Sequence, residues 1–200
     1  VEWIDQEKST VRLIWDQFEI PAGHALKVKA TVRLDDDSQR SKWHIELDSV
    51  ASLDVARIKF PRLMSITSQP KEKLAVPVWM GQIATDPRML LWKPSTPVVQ
   101  DWDVYEAVSR RWEWPYPGTL SLQCLALYGE QGPGLYFSCD DTAAFRKAFA
   151  FWSSDSGNLN YEMAHYPENL SKTRSDYSLP YHAIVGTFTG DWITAAERYR

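Results

Sequence analysis

Carboxylates, imidazoles and thiols are the groups in this 200-residue sequence that can carry out chemistry, and their spacing decides whether they do. Asp140 and Asp141 end the segment GLYFSCDD. A pair of carboxylates is what glycoside hydrolysis uses, one as acid and one as base or nucleophile, but the two must face each other across several ångströms. Adjacent residues at a strand end point to opposite faces and give no such separation, so the simpler expectation is that one of them caps a turn. The histidines are His24, His44, His165 and His182, with no HxxxH or HExxH spacing, and Cys124 and Cys139 form no CxxC. No metal site and no cofactor is expected from such a set. A GxSxG elbow, a P-loop and a dinucleotide fingerprint are all missing from the sequence. An acid/base pair of the sugar-epimerase kind would have to come from His44, Glu46, His165 and His182 converging in a concave sheet.

Aromatic side chains are the second chemical resource. Ten Trp, nine Tyr and seven Phe serve either a broad β core or flat contact with sugar rings. RRWEWPYPG concentrates Trp112, Trp114 and Tyr116, which suit a sugar platform or the plug of a domain interface. Together with Asp140, Asp141 and His165 they are the carbohydrate-contact candidates. Charge points away from other polymers: 22 basic and 26 acidic side chains give a net charge of -4, and Lys and Arg form no stripe, so no nucleic-acid partner is expected. No stretch approaches the roughly 18 apolar residues of a membrane-spanning helix.

The elements that hold these residues are mostly strands. In LKVKATVRL, Leu26, Val28, Ala30, Val32 and Leu34 alternate with polar residues, and SKWHIELDS repeats the pattern with Trp43, Ile45 and Leu47 after a DDDSQ turn. That turn is expected to be solvated rather than to bind calcium, because no Gly-centred ligand loop accompanies it. VARIKF is expected to end at Pro61, and Pro77 inside LAVPVWMGQIA suggests an edge or a bulge. Residues 85–118 read as an irregular, Pro- and Trp-rich stretch.

TLSLQCLALY and GLYFSC flank GEQGP as an antiparallel hairpin. A turn centred between Gln131 and Gly132 puts Cys124 directly opposite Cys139, where the two can bridge or, as expected for buried small hydrophobes, remain free thiols. The stretch after CDD fits both a helical and a strand period. The turn residues of SSDSGN favour a hairpin of Arg146 to Trp152 with Leu159 to Tyr166, after a short helical turn at 140–144. PYHAIVGTFTG is a last strand. It runs into an amphipathic helix capped by Asp191, whose stripe is Trp192, Ala195, Ala196 and Tyr199. No stop signal follows that helix and Val1 is not an initiator Met, so the chain is expected to be a domain of a longer protein.

The order of Trp43 in a strand, IKFPRL, YPGTLSLQ, GLYFSCDD, HYPE and finally GDWITAAERYR resembles the N-terminal β-supersandwich, of galactose-mutarotase-like topology, that precedes a (β/α)8 barrel in several glycoside hydrolases. Alpha-galactosidases, alpha-glucosidases and endo-alpha-N-acetylgalactosaminidases share that layout. The resemblance implies an all-β antiparallel supersandwich over 1–189 and, over 190–200, the start of a linker helix into the barrel, with Trp192, Ala195, Ala196 and Tyr199 at the junction. It implies a non-catalytic domain whose partners are the barrel and an oligosaccharide or polysaccharide. The cysteines leave the compartment open; a secreted, periplasmic or cell-surface setting is favoured over the cytoplasm. The catalytic carboxylates would lie after residue 200. A free-standing carbohydrate-binding module and an aldose epimerase are the alternatives.

Overall fold

A computed structural model describes residues 1–5, 7, 9–19, 25–35, 39–48, 55–92, 111–130, 132–153, 157–167 and 176–199. Most of the described residues form antiparallel strands, because alternating apolar and polar residues need only one covered face per sheet. The larger sheet takes β1 (Glu2–Trp3), β2 (Thr10–Trp15), β3 (Lys27–Asp35) and β4 (Arg40–Asp48) from the first part of the chain. The smaller sheet begins with β5 (Ile58–Ile66). Next along the chain come β6 (Lys73–Val76), β7 (Gln82–Thr85), helix α1 (Pro87–Trp92), β8 (Arg111–Tyr116), β9 (Cys124–Tyr128) and β10 (Gly134–Cys139). The remainder supplies β11 (Lys147–Ser153), β12 (Leu159–His165), β13 (Asp176–Ser178), β14 (Ala183–Phe188) and helix α2 (Trp192–Tyr199). The larger sheet runs β1-β2-β3-β4-β14-β10-β9-β6-β7, with β13 also beside β4, and the smaller runs β5-β12-β11-β8. The result is an all-β sandwich carrying a short C-terminal helix.

The core lies between the sheets. Phe137 of β10 stacks on Tyr161 of β12 at 4.0 Å between centroids and meets Phe151 of β11 edge-on at 5.4 Å. Such ring pairs add about 0.5–1.5 kcal/mol each beyond the area they bury. The alternation in β3 and β4 is as the sequence reads, with Ala30, Val32, Ile45 and Leu47 buried; only Leu34, at the hairpin end, is 52% exposed. The β11–β12 hairpin also forms as expected.

Four expectations need correction. Pro61 does not end its strand: β5 continues through it to Ile66, because β5 is the edge of the smaller sheet and its pairing with β12 carries register shifts around the proline. LAVPVWMGQIA is two strands. Pro77 follows β6, and a tight turn closed by Gly81 N–H to Val78 O leads into the edge strand β7. The 85–118 stretch is not irregular throughout, although 93–110 lies outside the described residues. Asp86 caps α1 through Met89 N–H, and RWEWPY becomes β8 paired with β11. No helical turn forms at 140–144; that segment is a bend closed by Asp141, which accepts the amides of Ala143 and Phe145.

The cysteine register is also different. Ser138, not Cys139, stands opposite Cys124, and a slip of one residue turns every side chain to the other face. Cys124 therefore packs under α2, while Cys139 lies in the core between the sheets, and both are free thiols. Burial pushes the Cys124 thiol up to about 12 and the Cys139 thiol up to about 11. Mild oxidation of the folded protein is expected to leave both thiols titratable after unfolding. An intramolecular Cys124–Cys139 bridge in the mass spectrum would contradict the register.

Each end of the sandwich is closed differently. Where β5 finishes, α1 tucks Leu91 into the core while Arg88 forks onto buried Glu72, at 2.7 and 3.1 Å, and donates to Ile66 O at 2.8 Å. Where β11 begins, the closure is built around a lysine.

Candidate functional site

Lys147 opens β11 in the inward phase shared by Phe149 and Phe151, between Tyr116 of β8 and His165 of β12 in the pairing row. It is fully buried. A buried ammonium is tolerated only when its charge and all three N–H groups are matched. Here it donates to Asp141 Oδ2, to Gln123 Oε1 at 2.6 Å and to Phe145 O at 2.7 Å, with the rings of Tyr181 and Tyr116 4.6 and 5.0 Å away. Gln123 extends the network by donating from Nε2 to Asp141 O at 2.8 Å and accepting the Cys139 thiol. Its backbone N–H donates to the Tyr199 hydroxyl of α2 at 3.3 Å. Burial raises the Tyr116 and Tyr181 hydroxyl pKa values.

His165 is buried beside this cluster. Nε2 lies 2.5 Å from Phe60 O and must donate to it, so Nδ1 accepts the Tyr181 hydroxyl at 2.7 Å. Burial first, with neighbouring Lys147 adding to it against the raising effect of the Phe60 bond, lowers its pKa from 6.5 to about 4. Three of the expected contact residues, Tyr116, Asp141 and His165, are thus brought together. Every donor of the ammonium is used and the imidazole is held on both nitrogens, so the cluster closes the sandwich end and offers no free base or nucleophile.

The other candidates are dispersed. Asp140 points to the outer face of the larger sheet, where Oδ1 accepts His182 N–H at 2.6 Å and Oδ2 lies 3.0 Å from His182 Nδ1. His44 is close to His182, with ring centroids 5.6 Å apart, but His165 lies in the core beneath the opposite face, so the proposed acid/base set shares no cleft. Trp112 and Trp114 face inward from β8 with rings 6.0 Å apart; Trp114 is 9% exposed, while Trp112 and Tyr116 are half-buried. Among the junction residues, Ala195 and Tyr199 pack on the outer face of the larger sheet. Ala196 is exposed, and Trp192 and Ile193 are 47% and 51% exposed. Asp191 caps α2 through Ile193 N–H at 2.9 Å.

Two features escaped the sequence reading. At the β6–β7 tip Trp79 is 78% exposed and Met80 fully so, with Trp79 in the left-handed backbone region at φ 56°. Pro77 and Gly81 around this pair were the available signal. The outer face of the smaller sheet carries an ionic lattice. Glu162, with a buried side chain, meets Arg111 at 2.6 Å, Arg62 at 2.9 Å and Lys59 at 3.1 Å. Glu113 meets Arg111 at 2.6 Å and Arg57 at 3.6 Å. Burial raises Glu162, but Arg111 and Lys59 outweigh it and hold the carboxyl below its usual range. Among the described residues no three His, Cys, Asp or Glu side chains gather as a metal ion would need, and no helix is long and apolar enough to cross a membrane.

Comparison with solved structures gives this architecture a context. The chain aligns over 95% of its length with the alpha-N-acetylgalactosaminidase NagBb of Bifidobacterium bifidum in complex with GalNAc, at TM-score 0.60 and 11% identity. A quadruple mutant of the same enzyme aligns at TM-score 0.61, 10% identity and 95% coverage. The fold is shared with part of a glycoside hydrolase. The chain spans 28% and 27% of those two chains. A GH36 alpha-galactosidase, AgaA from Geobacillus stearothermophilus, is a further neighbour at 10% identity and TM-score 0.49, covering 92% of this chain and 25% of its own. No protein-family model matches the sequence, and no curated protein matches it.

Proposed function

We propose that the chain is the non-catalytic N-terminal β-sandwich of a glycoside hydrolase, galactose-mutarotase-like in topology, that buttresses a catalytic barrel and shapes one side of its sugar-binding cleft. The observation that carries this reading is the alignment of nearly the whole chain with little more than a quarter of an alpha-N-acetylgalactosaminidase. The closed Lys147 cluster supports it, since the polar groups gathered in the sandwich are committed to structure. The hydrolytic carboxylates then belong to the barrel, and the substrate is an oligosaccharide or polysaccharide.

On this reading the segment 190–200, which contains α2 (Trp192–Tyr199), leads to the barrel. Ala195 and Tyr199 hold it to the sandwich, and the exposed Trp192, Ile193 and Ala196 turn toward the barrel. A free-standing carbohydrate-binding module has no use for that exposed pair of large side chains. For the cleft itself the exposed Trp79 and Met80 extend the contact set. Of the candidates read from the sequence, Asp140 presents an exposed carboxylate, while Trp112, Trp114, Tyr116, Asp141 and His165 act from within by supporting the rim.

The test is kinetic. The full-length polypeptide is expected to hydrolyse aryl alpha-galactosides or alpha-N-acetylgalactosaminides, and Trp79→Ala to raise KM about tenfold on an oligosaccharide with kcat nearly kept, as for loss of a uniform binding contact. Absence of glycosidase activity sinks the proposal. Unchanged KM and kcat in Trp79→Ala sink the role of the β6–β7 tip.

A further inference from the structure

The outer face of the smaller sheet concentrates positive charge in a way a purely structural lattice does not require. Arg62, Glu162, Ala150 and Glu113 stand opposite one another across the four strands, and Arg111 stands opposite Trp152 in the adjacent row of the same face. Lys59, Ala164, Ala148 and Pro115 form the row on the other side. Ala148, Ala150 and Ala164 thus floor part of the middle of the face beside Glu162 and Trp152, and the cations Lys59, Arg62 and Arg111 come from its two edge strands. Among the described residues, three partly exposed cations, Arg57, Lys59 and Arg62, border two carboxylates, Glu113 and Glu162, that Arg111 already holds. A lattice that served stability alone would balance these charges, since like charges side by side on a sheet repel. The excess is positive on a chain whose net charge is -4.

We propose that this face is an anion subsite that takes the carboxylate or sulfate group of an acidic saccharide. Arg62 places Nε 2.9 Å from Glu162 as an ion pair and is 51% exposed, which leaves its planar fork for a carboxylate or sulfate. Trp152 fixes the two guanidiniums, with Arg62 and Arg111 at 5.3 and 5.4 Å from its ring centroid, so part of the ordering cost of binding is met before the ligand arrives. Lys59 and Arg57, each about one-third exposed, add donors beside it. The patch is compact and does not extend into the basic stripe that a nucleic-acid backbone needs. The saccharide half of the proposal rests on the glycosidase reading above; the anion half rests on the side chains alone.

The experiment is calorimetric titration of the full-length protein with an oligogalacturonate, a sulfated galacto-oligosaccharide, the matching neutral oligosaccharide and inorganic sulfate, at low and high salt. The acidic oligosaccharides are expected to bind more tightly than the neutral one, and more weakly as salt rises. Arg62→Gln and Lys59→Gln should each weaken that binding roughly tenfold, the loss of one charge-assisted hydrogen bond, and Lys71→Gln, in the turn before β6, should not. Thermal unfolding of the variants confirms that they are folded. Equal affinity for acidic and neutral sugars, undiminished affinity in both variants, or no binding of any acidic sugar overturns the proposal. Binding of sulfate with rejection of the acidic oligosaccharides overturns its saccharide half. Charge-dependent binding in a protein without glycosidase activity upholds the subsite and sinks the glycosidase reading instead.

Discussion

Lys147→Met is expected to destabilise the fold by about 3–5 kcal/mol, enough to remove much of the stability of a typical domain. Methionine nearly matches the volume of lysine, so the loss is not one of packing. It leaves Asp141, with its side chain buried, without its counter-charge; Phe145 O loses the lysine's N–H, and Gln123 Oε1 keeps only the weak Cys139 thiol as donor. The Asp141 carboxylate still accepts Ala143 N–H and Phe145 N–H, at 2.9 and 2.7 Å, which limits the damage and keeps the estimate at this scale. Restoring neutrality with Asp141→Asn in the same chain should recover part of the loss, because the pair contributes less than either unpaired charge costs. Urea unfolding followed by tryptophan fluorescence gives the numbers. A loss below about 1 kcal/mol in Lys147→Met, or a double variant no better than the single, contradicts the role assigned to the cluster.

Acid is expected to destabilise the folded chain in two successive windows, the first set by His165. Its pKa is 6.5 when unfolded and about 4 when folded, so between these values the unfolded chain binds a proton that the folded chain refuses. The stability is complete above pH 6.5, falls as pH drops toward 4 and levels off below that as far as this group is concerned. A gap of about 2.5 pH units at about 1.4 kcal/mol each amounts to roughly 3 kcal/mol. Glu162 governs the second window. Its folded pKa is depressed, so its ion pairs contribute fully above its ordinary 4.5 and are lost as pH falls through the lower folded value. His165→Gln keeps a donor and an acceptor for Phe60 O and Tyr181 but does not titrate, and should abolish the first window while leaving the second. An unchanged slope between pH 6.5 and 4 in that variant would show that another group carries it.

How much of this was legible depended on whether a local pattern was sufficient. Period-two alternation was enough for β3 and β4, the turn residues of SSDSGN decided an ambiguous period in favour of β11 and β12, and a side-chain oxygen ahead of an apolar stripe was enough for the Asp191 cap. The expectation that one of the adjacent aspartates closes a turn holds for Asp141, because a strand end sends Asp140 and Asp141 to opposite faces. The β9–β10 register was not legible, since a five-residue connection can be centred on a residue or between two, and only packing on both faces selects one. Pro61 was misread because whether a strand tolerates proline depends on being at an edge, which is a property of the sheet. Lys147 was hidden by its own charge. It falls in phase with Phe149 and Phe151, yet nothing local tells an ammonium destined for the core from one bathed in water; that depends on Asp141, Gln123 and two tyrosines supplied by other segments.

The two end closures, Arg88 on Glu72 beside Leu91 and Lys147 on Asp141 beside Tyr116 and Tyr181, bear on how the domain breathes. An apolar lid can loosen by degrees, admitting water a little at a time. An ionic cork has no halfway position, since a charge drawn off its partner inside the protein gains nothing until it reaches solvent. The amides of β11 and β12, central in their sheet and stoppered at both ends, are therefore drawn toward the slowest class of hydrogen exchange, the class released only when the whole sandwich comes apart.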